Sequence, residues 1–181
     1  MKNLVLIRHA KSSWDDPSLG DRERPLNKRG KKDAPTMGRL LKENGLVPDL
    51  ILSSPAKRAL KTAKLIALEL DYPKKKIEIR EEIYEQGFDV LISMLSELDE
   101  AIERVYLIGH NPELTDLANH LSGAGIDNVP TCGIVSIEFS SPLWKQCLQQ
   151  GGKLMLFERP VKSKADHISD SESLAEDAIG T

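Results

Sequence analysis

A chain of 181 residues, 40% hydrophobic and 29% charged, is long enough for one domain with a real core, and a net charge of −3 argues against a bulk nucleic-acid binder or a polybasic membrane anchor. Two cysteines, Cys132 and Cys147, are too few for a metal cage and lack C-x-x-C spacing, which suits a reduced cytoplasm. The apolar run behind Lys2 is too short for a signal peptide or a membrane span, so the expectation is a soluble cytoplasmic protein.

In chain order, the first predicted strand is the apolar run 4–7, which ends in Arg8 and His9. The basic stretch RERPLNKRGKK at 22–32 reads as a solvated loop and helix start, or as a rim that attracts phosphorylated partners. Residues 27–44 are expected to form the first helix, capped by Asn27 and stopped at Gly45, with a kink or restart at Pro35. A second strand at 50–52 runs into Ser53-Ser54-Pro55-Ala56-Lys57-Arg58, which opens a helix whose apolar periodicity covers 62–70. A third apolar run at 77–79 precedes REEIYEQGFDV and a helical pattern at 90–98. The run 105–108 ends in Gly109-His110-Asn111-Pro112, with Pro112 suited to the first position of the next helix. The last runs, 134–139 and 154–157, flank Trp144 and the Gly151-Gly152 turn and are expected to close the sheet as an antiparallel edge. After Pro160 the chain turns polar and acidic, so residues 1–160 are taken as one domain and 161–181 as a disordered tail.

Strands alternating with helices predict an α/β fold, a three-layer α/β/α sandwich around a mostly parallel sheet. In such sheets ligands sit beyond the carboxyl ends of the strands. Arg8-His9, Arg58 and His110 all follow predicted strand ends, so two arginines, two histidines and two helix N-termini converge on one edge. Those parts suit a phosphoryl group: guanidinium forks match phosphate oxygens, helix N-termini add N–H donors, and a neutral imidazole attacks phosphorus. Each piece alone is ordinary; their joint placement carries the reading. His120 reads as structural, Trp14 as pocket wall or loop anchor, and the cysteines as small apolar residues.

The segments LVLIRHAKSSW, ERPLNKRG, PDLILSSPAKRALKTA and LIGHNPELTDLANHL resemble the histidine phosphatase superfamily, in its small phosphohistidine phosphatase (SixA-type) branch, from residue 2 to about 160. The resemblance implies a phosphoglycerate-mutase-like fold, His9 as the phosphorylated nucleophile, and Arg8, Arg58 and His110 as the phosphoryl pocket. It further implies phosphate contacts from Ser12 and from the backbone around Asn111, with no cofactor and no metal. Asp15 stands where many relatives carry Asn, and a carboxylate there would repel phosphate. Ala10 and Lys11 depart from the mutase-like pattern.

Esters in this superfamily need an acid to protonate a basic alkoxide. Glu81, Glu82 and Glu85 stand near the expected place, and Glu85 is the candidate general acid, although glutamates at a helix start are ordinarily surface charge. Phosphohistidine relaxes that need, because protonation of its distal ring nitrogen lets neutral imidazole depart. The short run from 82 to 105 holds no obvious lid, which suits a protein substrate. The expected activity is removal of phosphate from histidine of a protein, such as a histidine-containing phosphotransfer domain. The alternatives are a phosphomonoesterase acting on a small metabolite, or a phosphate-binding adaptor without catalysis. No nucleic-acid or membrane partner is expected.

Overall fold

The structure, a computed structural model, describes residues 1–162. The expected tail from residue 163 onward, with His167, lies outside the described residues. Among the described residues, six strands form one mixed sheet: β1 (Lys2–Arg8), β2 (Leu50–Ser53), β3 (Glu78–Ile79), β4 (Arg104–Gly109), β5 (Ile134–Phe139) and β6 (Lys153–Glu158). Five helices connect them: α1 (Lys28–Glu43), α2 (Lys57–Glu69), α3 (Phe88–Ser96), α4 (Glu113–Ser122) and α5 (Trp144–Gln150).

The strand order is β3-β2-β4-β1-β5-β6. The pairs β3/β2, β2/β4 and β4/β1 are parallel, and β1/β5 and β5/β6 are antiparallel, so the closing pair forms the expected antiparallel edge. The alternation of side chains along each strand divides the core in two. Leu4 and Leu6 of β1 join Val105 and Leu107 of β4 beneath α3, α4 and α5. Val5 and Ile7 join Ile51, Tyr106 and Ile108 beneath α1 and α2. The result is the predicted three-layer sandwich.

Local signals set both ends of α1. The Asn27 side chain accepts the Gly30 N–H at 2.9 Å, and Gly45 adopts φ 68° just past α1. The expected restart at Pro35 does not occur: α1 runs through it as one helix. A proline inside a helix costs about 3 kcal/mol, through the lost bond and the clash of its ring with the preceding turn. The fully buried Met37 and Leu41 each contribute about 1.5–3 kcal/mol, with Ala34 beside them against α2, so packing outweighs the break. Pro112 is the N-cap of α4 rather than its first residue. Glu81 and Glu82 lie on a short 3-10 turn (Glu81–Ile83), not at a helix start, and α3 begins only at Phe88.

The order β2-β4-β1 sets the carboxyl ends of three parallel strands side by side. Main-chain bonds extend the register past them: His9 N–H donates to Gly109 O at 3.0 Å and Ser54 N–H to Ile108 O at 3.0 Å. Two glycines permit this crowding. A Cβ on Gly30 would lie 2.2 Å from Lys11 O, so α1 can press on the loop behind His9 only without a side chain there. A Cβ on Gly109 would lie 2.9 Å from Ile83, which packs the 3-10 turn against the end of β4. No helix among the described residues is long and apolar enough to cross a membrane.

Candidate active site

Arg8, His9, Arg58 and His110 meet in a polar cavity of about 180 Å³ that is also lined by Asp21, Tyr84, Glu85, Asn111 and Glu113. The rings of His9 and His110 lie 5.1 Å apart. Arg58, from the first turn of α2, stands against both: its Nε is 3.4 Å from His9 Nε2, and its Nη2 is 3.5 Å from His110 Nδ1.

The neighbours set both tautomers. His9 Nδ1 lies 2.7 Å from the Ala10 carbonyl oxygen, which only accepts, so Nδ1 carries the proton and Nε2 keeps its lone pair toward Arg58. His110 Nε2 lies 2.7 Å from Ser54 Oγ. Because a guanidinium only donates, His110 Nδ1 is the unprotonated nitrogen. Burial, the like charge of His110 and the nearby arginines push the His9 pKa down to about 3 despite the Ala10 bond. Burial and Arg58 bring His110 down to about 4. At neutral pH both are neutral imidazoles, the state a nucleophile requires.

Arg8 lies at the end of β1 with one guanidinium nitrogen 3.1 Å from Val129 O. Its buried Nε–H has no partner among the described residues. Burial and Arg58 lower its proton affinity. A buried, unpaired cationic donor is costly unless an anion completes it.

Asp21 was not legible as a site residue. It sits on a 3-10 turn (Asp21–Glu23) and brings its carboxylate to Arg58 Nη2 at 2.9 Å, while its carbonyl takes Arg58 Nη1 at 2.6 Å. Tyr84 donates its hydroxyl to the same carboxylate at 2.5 Å, and Arg24 adds a contact at 3.2 Å. Partial burial pulls the Asp21 carboxyl upward, but the bonds from Tyr84 and Arg58 outweigh it and hold the pKa at about 2. Asp21 is therefore an anion that engages Arg58. Arg22, stacked on Tyr84 at 4.6 Å, ion-pairs with Glu81 at 2.6 Å and ties the two 3-10 turns together. The stretch 82–105 was expected to leave the site uncovered, yet its Tyr84 and Glu85 line the cavity, the Tyr84 ring 5.5 Å from that of His110, and the Asp21 turn borders another flank.

Converting Asp21 to Asn is expected to tighten binding of inorganic phosphate or tungstate about tenfold, because a like charge a few ångströms away is removed. Isothermal titration calorimetry checks this; unchanged or weaker oxyanion binding would contradict it.

The other predicted residues fall in different places. Ser12 is buried outside the cavity lining, and its hydroxyl accepts from Arg24 Nη2. Asn111 lines the cavity, but its side chain is committed: the amide donates to Asn128 Oδ1 and Val129 O at 2.9 and 2.8 Å, and the oxygen accepts from Thr115. Glu85 does line the cavity, in the left-handed region at φ 56°, a strained conformation for a non-glycine residue and one enriched at functional sites. Trp14 is exposed and stacks beneath Arg24 at 3.2 Å, which makes it a loop anchor and not a pocket wall. Asp15 also lies outside the cavity lining, and His120 packs on Phe88 at 5.3 Å. Both cysteines are buried and free. Beyond Asp21, sequence reasoning missed Tyr84, Glu113 and the Ser54 support of His110. Ser54 had a signal in its place in the loop that opens α2, and Glu113 in following His110-Asn111-Pro112, whereas Tyr84 had only its place between Glu82 and Glu85.

Residues 4–123 match the family model of the histidine phosphatase superfamily (branch 1). The chain belongs to this superfamily. An uncharacterised chloroplastic protein of Arabidopsis thaliana is 32% identical over 161 residues, covering 83% of this chain and 72% of that protein. A 2,3-bisphosphoglycerate-dependent phosphoglycerate mutase of Streptomyces avermitilis is 46% identical over 68 residues, which span 36% of this chain and only 26% of the mutase. Among solved structures, an Agrobacterium tumefaciens protein proposed to be the phosphohistidine phosphatase SixA superposes with a TM-score of 0.74 at 26% identity, over 88% of this chain and 98% of that one. A protein histidine phosphatase SixA complexed with tungstate shares the fold, with a TM-score of 0.75 at 22% identity over 87% and 97% of the two chains. The superfamily's members are phosphatases and mutases, and the SixA-like, phosphoglycerate-mutase-like fold is the one expected from the sequence.

Proposed function

We propose that the protein is a phosphohistidine phosphatase that acts on histidine-phosphorylated protein, for instance a histidine-containing phosphotransfer domain. The observation that carries this is the tautomer of His9, with Nδ1–H held by the Ala10 carbonyl and the Nε2 lone pair set 3.4 Å from Arg58. In this reading the lone pair attacks phosphorus, the P–N bond to the substrate imidazole breaks, and its electron pair returns to the substrate ring nitrogen. With a proton on its distal nitrogen, that ring leaves as neutral imidazole. The phospho-His9 imidazolium keeps its Nδ1 proton on Ala10. Water then attacks phosphorus, the bond to Nε2 breaks, and phosphate leaves with the second water proton released to solvent.

Arg8 and Arg58 would carry the charge on the equatorial oxygens. An anionic phosphoryl group raises the proton affinity of His110, so that it donates from Nδ1 as well. The unpartnered Arg8 donor fits this assignment, and tungstate in a protein of the same fold supports an oxyanion site. Asp21, ionised at neutral pH, supplies no proton to an alkoxide. That favours a leaving group that carries its own proton.

Glu85 supports a second reading, a phosphomonoesterase with Glu85 as the acid, because it reaches the cavity in a strained conformation. Turnover of a phosphohistidine peptide against phosphoserine, sugar-phosphate and nucleotide controls decides between the two. The first reading expects selective release of phosphate from phosphohistidine, with Glu85→Gln retaining that activity. Turnover of esters alone, abolished in Glu85→Gln, would replace it with the second.

A further inference from the structure

Beside the catalytic cavity, the α1–α2 face carries a groove of about 400 Å³. The buried Leu26 and half-buried Leu60 line its apolar base, and the exposed Pro25 stands at its edge with Lys31, Lys57, Lys61 and Lys64. The groove touches the site at two points: Pro25 follows Arg24, which holds Asp21, and Lys57 precedes Arg58. Along α2, Lys57, Lys61 and Lys64 fall at i, i+4 and i+7 with Leu60 between them, a single stripe about 10 Å long leading away from the phosphoryl pocket.

The charge here runs against the whole chain. Four ammonium groups ring this base on a protein of net charge −3. Lys57 is paired with Glu23 at 2.9 Å, whereas Lys31, Lys61 and Lys64 have no carboxylate partner among the described residues. A concave apolar strip flanked by cations fits a rod that is apolar along one stripe and acidic on its flanks. The i, i+4, i+7 spacing of the lysines matches carboxylates at the same spacing on a facing helix.

We propose that this groove docks an acidic amphipathic helix of the phosphohistidine-bearing protein and so presents the neighbouring phosphohistidine to His9. The proposal rests on the phosphohistidine reading given above and supplies its partner specificity. Docking of this kind acts on encounter and KM, weakens with salt, and leaves the chemical step alone.

The test uses the full-length chain and two synthetic phosphohistidine peptides that share a phosphorylated segment. One continues into a helix with Leu along one stripe and Glu on the flanks; in the other, Lys replaces Glu. Free phosphohistidine serves as the small substrate. The expected result is a kcat/KM about tenfold higher for the acidic peptide, lost at high salt and in the triple variant Lys31→Glu, Lys61→Glu, Lys64→Glu. Turnover of free phosphohistidine should be unchanged in that variant, which shows that its fold and pocket are intact. An acidic preference that survives the triple substitution would overturn the proposal.

Fluorescence anisotropy of the unphosphorylated acidic peptide tests the groove separately from turnover. Binding to the wild type and loss in the variant are expected, and equal binding to both overturns the docking even where phosphohistidine is hydrolysed. A wild type that binds this peptide but hydrolyses no phosphohistidine would overturn the function reading and leave the groove as an acidic-helix site. Two other results would give the groove another occupant and overturn the proposal. One is peptide binding only after Asp166, Asp170, Glu172, Glu176 and Asp177 are amidated, which assigns it to the chain's own C-terminal segment. The other is variant-sensitive cosedimentation with phosphatidylglycerol vesicles and no peptide binding.

Discussion

Replacing His9 with Ala is expected to lower phosphohistidine turnover by at least about 10⁴-fold and to leave the enzyme without bound phosphate after mixing with substrate. Losses of this size follow when the group that forms the covalent intermediate is removed. The cavity contains a second neutral imidazole, so the assignment is a real choice. Both His9 Nε2 and His110 Nδ1 face Arg58, at 3.4 and 3.5 Å. They differ in their anchorage: His9 is held by a main-chain carbonyl one residue away, in a loop pinned where Ala10 N–H meets Thr62 Oγ1 at 2.9 Å. His110 rests on the Ser54 hydroxyl, which can rotate. Rates on free phosphohistidine, with mass spectrometry of enzyme quenched at alkaline pH, check the assignment. Phosphate on His110, or activity in His9→Ala within tenfold of wild type, would sink it.

The second large effect is on stability. Unfolded histidine titrates near 6.5, whereas His9 and His110 in the fold titrate near 3 and 4. Between those values the unfolded chain binds protons that the folded chain does not, so stability rises with pH across this window. The contribution is complete above about pH 6.5, falls as pH drops toward 4 with both groups acting, and is gone once His9 titrates near 3. The slope is up to about 1.4 kcal/mol per pH unit for each group, and a loss of a few kcal/mol is a large share of a domain's stability. Urea unfolding from pH 7 to pH 4 should show the midpoint falling with pH, and His110→Gln should flatten the slope. A midpoint independent of pH across that range would contradict the burial of two neutral imidazoles.

Much of this molecule was legible because strands advertise themselves and the fold puts chemistry at their ends. All six apolar runs became strands, and Arg8, His9 and His110 were readable because each stands one or two residues past an apolar run. Arg58 followed from the loop that opens α2. The rest depends on contacts that periodicity does not encode. Asp21 reaches Arg58 and Tyr84 across 37 and 63 residues of chain, from a 3-10 turn with no apolar pattern. Ser12 was assigned to phosphate by resemblance, yet the bend of the same loop turns it to Arg24. Pro35 misled for a different reason. A local rule about proline in a helix was outweighed by side chains that pack against α2, far along the chain.

The Asp21 carboxylate has a consequence for the end of the catalytic cycle. A pocket that grips a phosphoryl group through two guanidinium groups risks holding the free phosphate it has just made. Asp21 is tethered within reach of Arg58 and stays ionised down to about pH 2, so a competing anion is always present at high local concentration. In the proposed cycle Asp21 would compete with departing phosphate for Arg58 and disfavour rebinding. The same contact that weakens the grip on oxyanions would thus clear the site for the next turnover and blunt inhibition by the phosphate product.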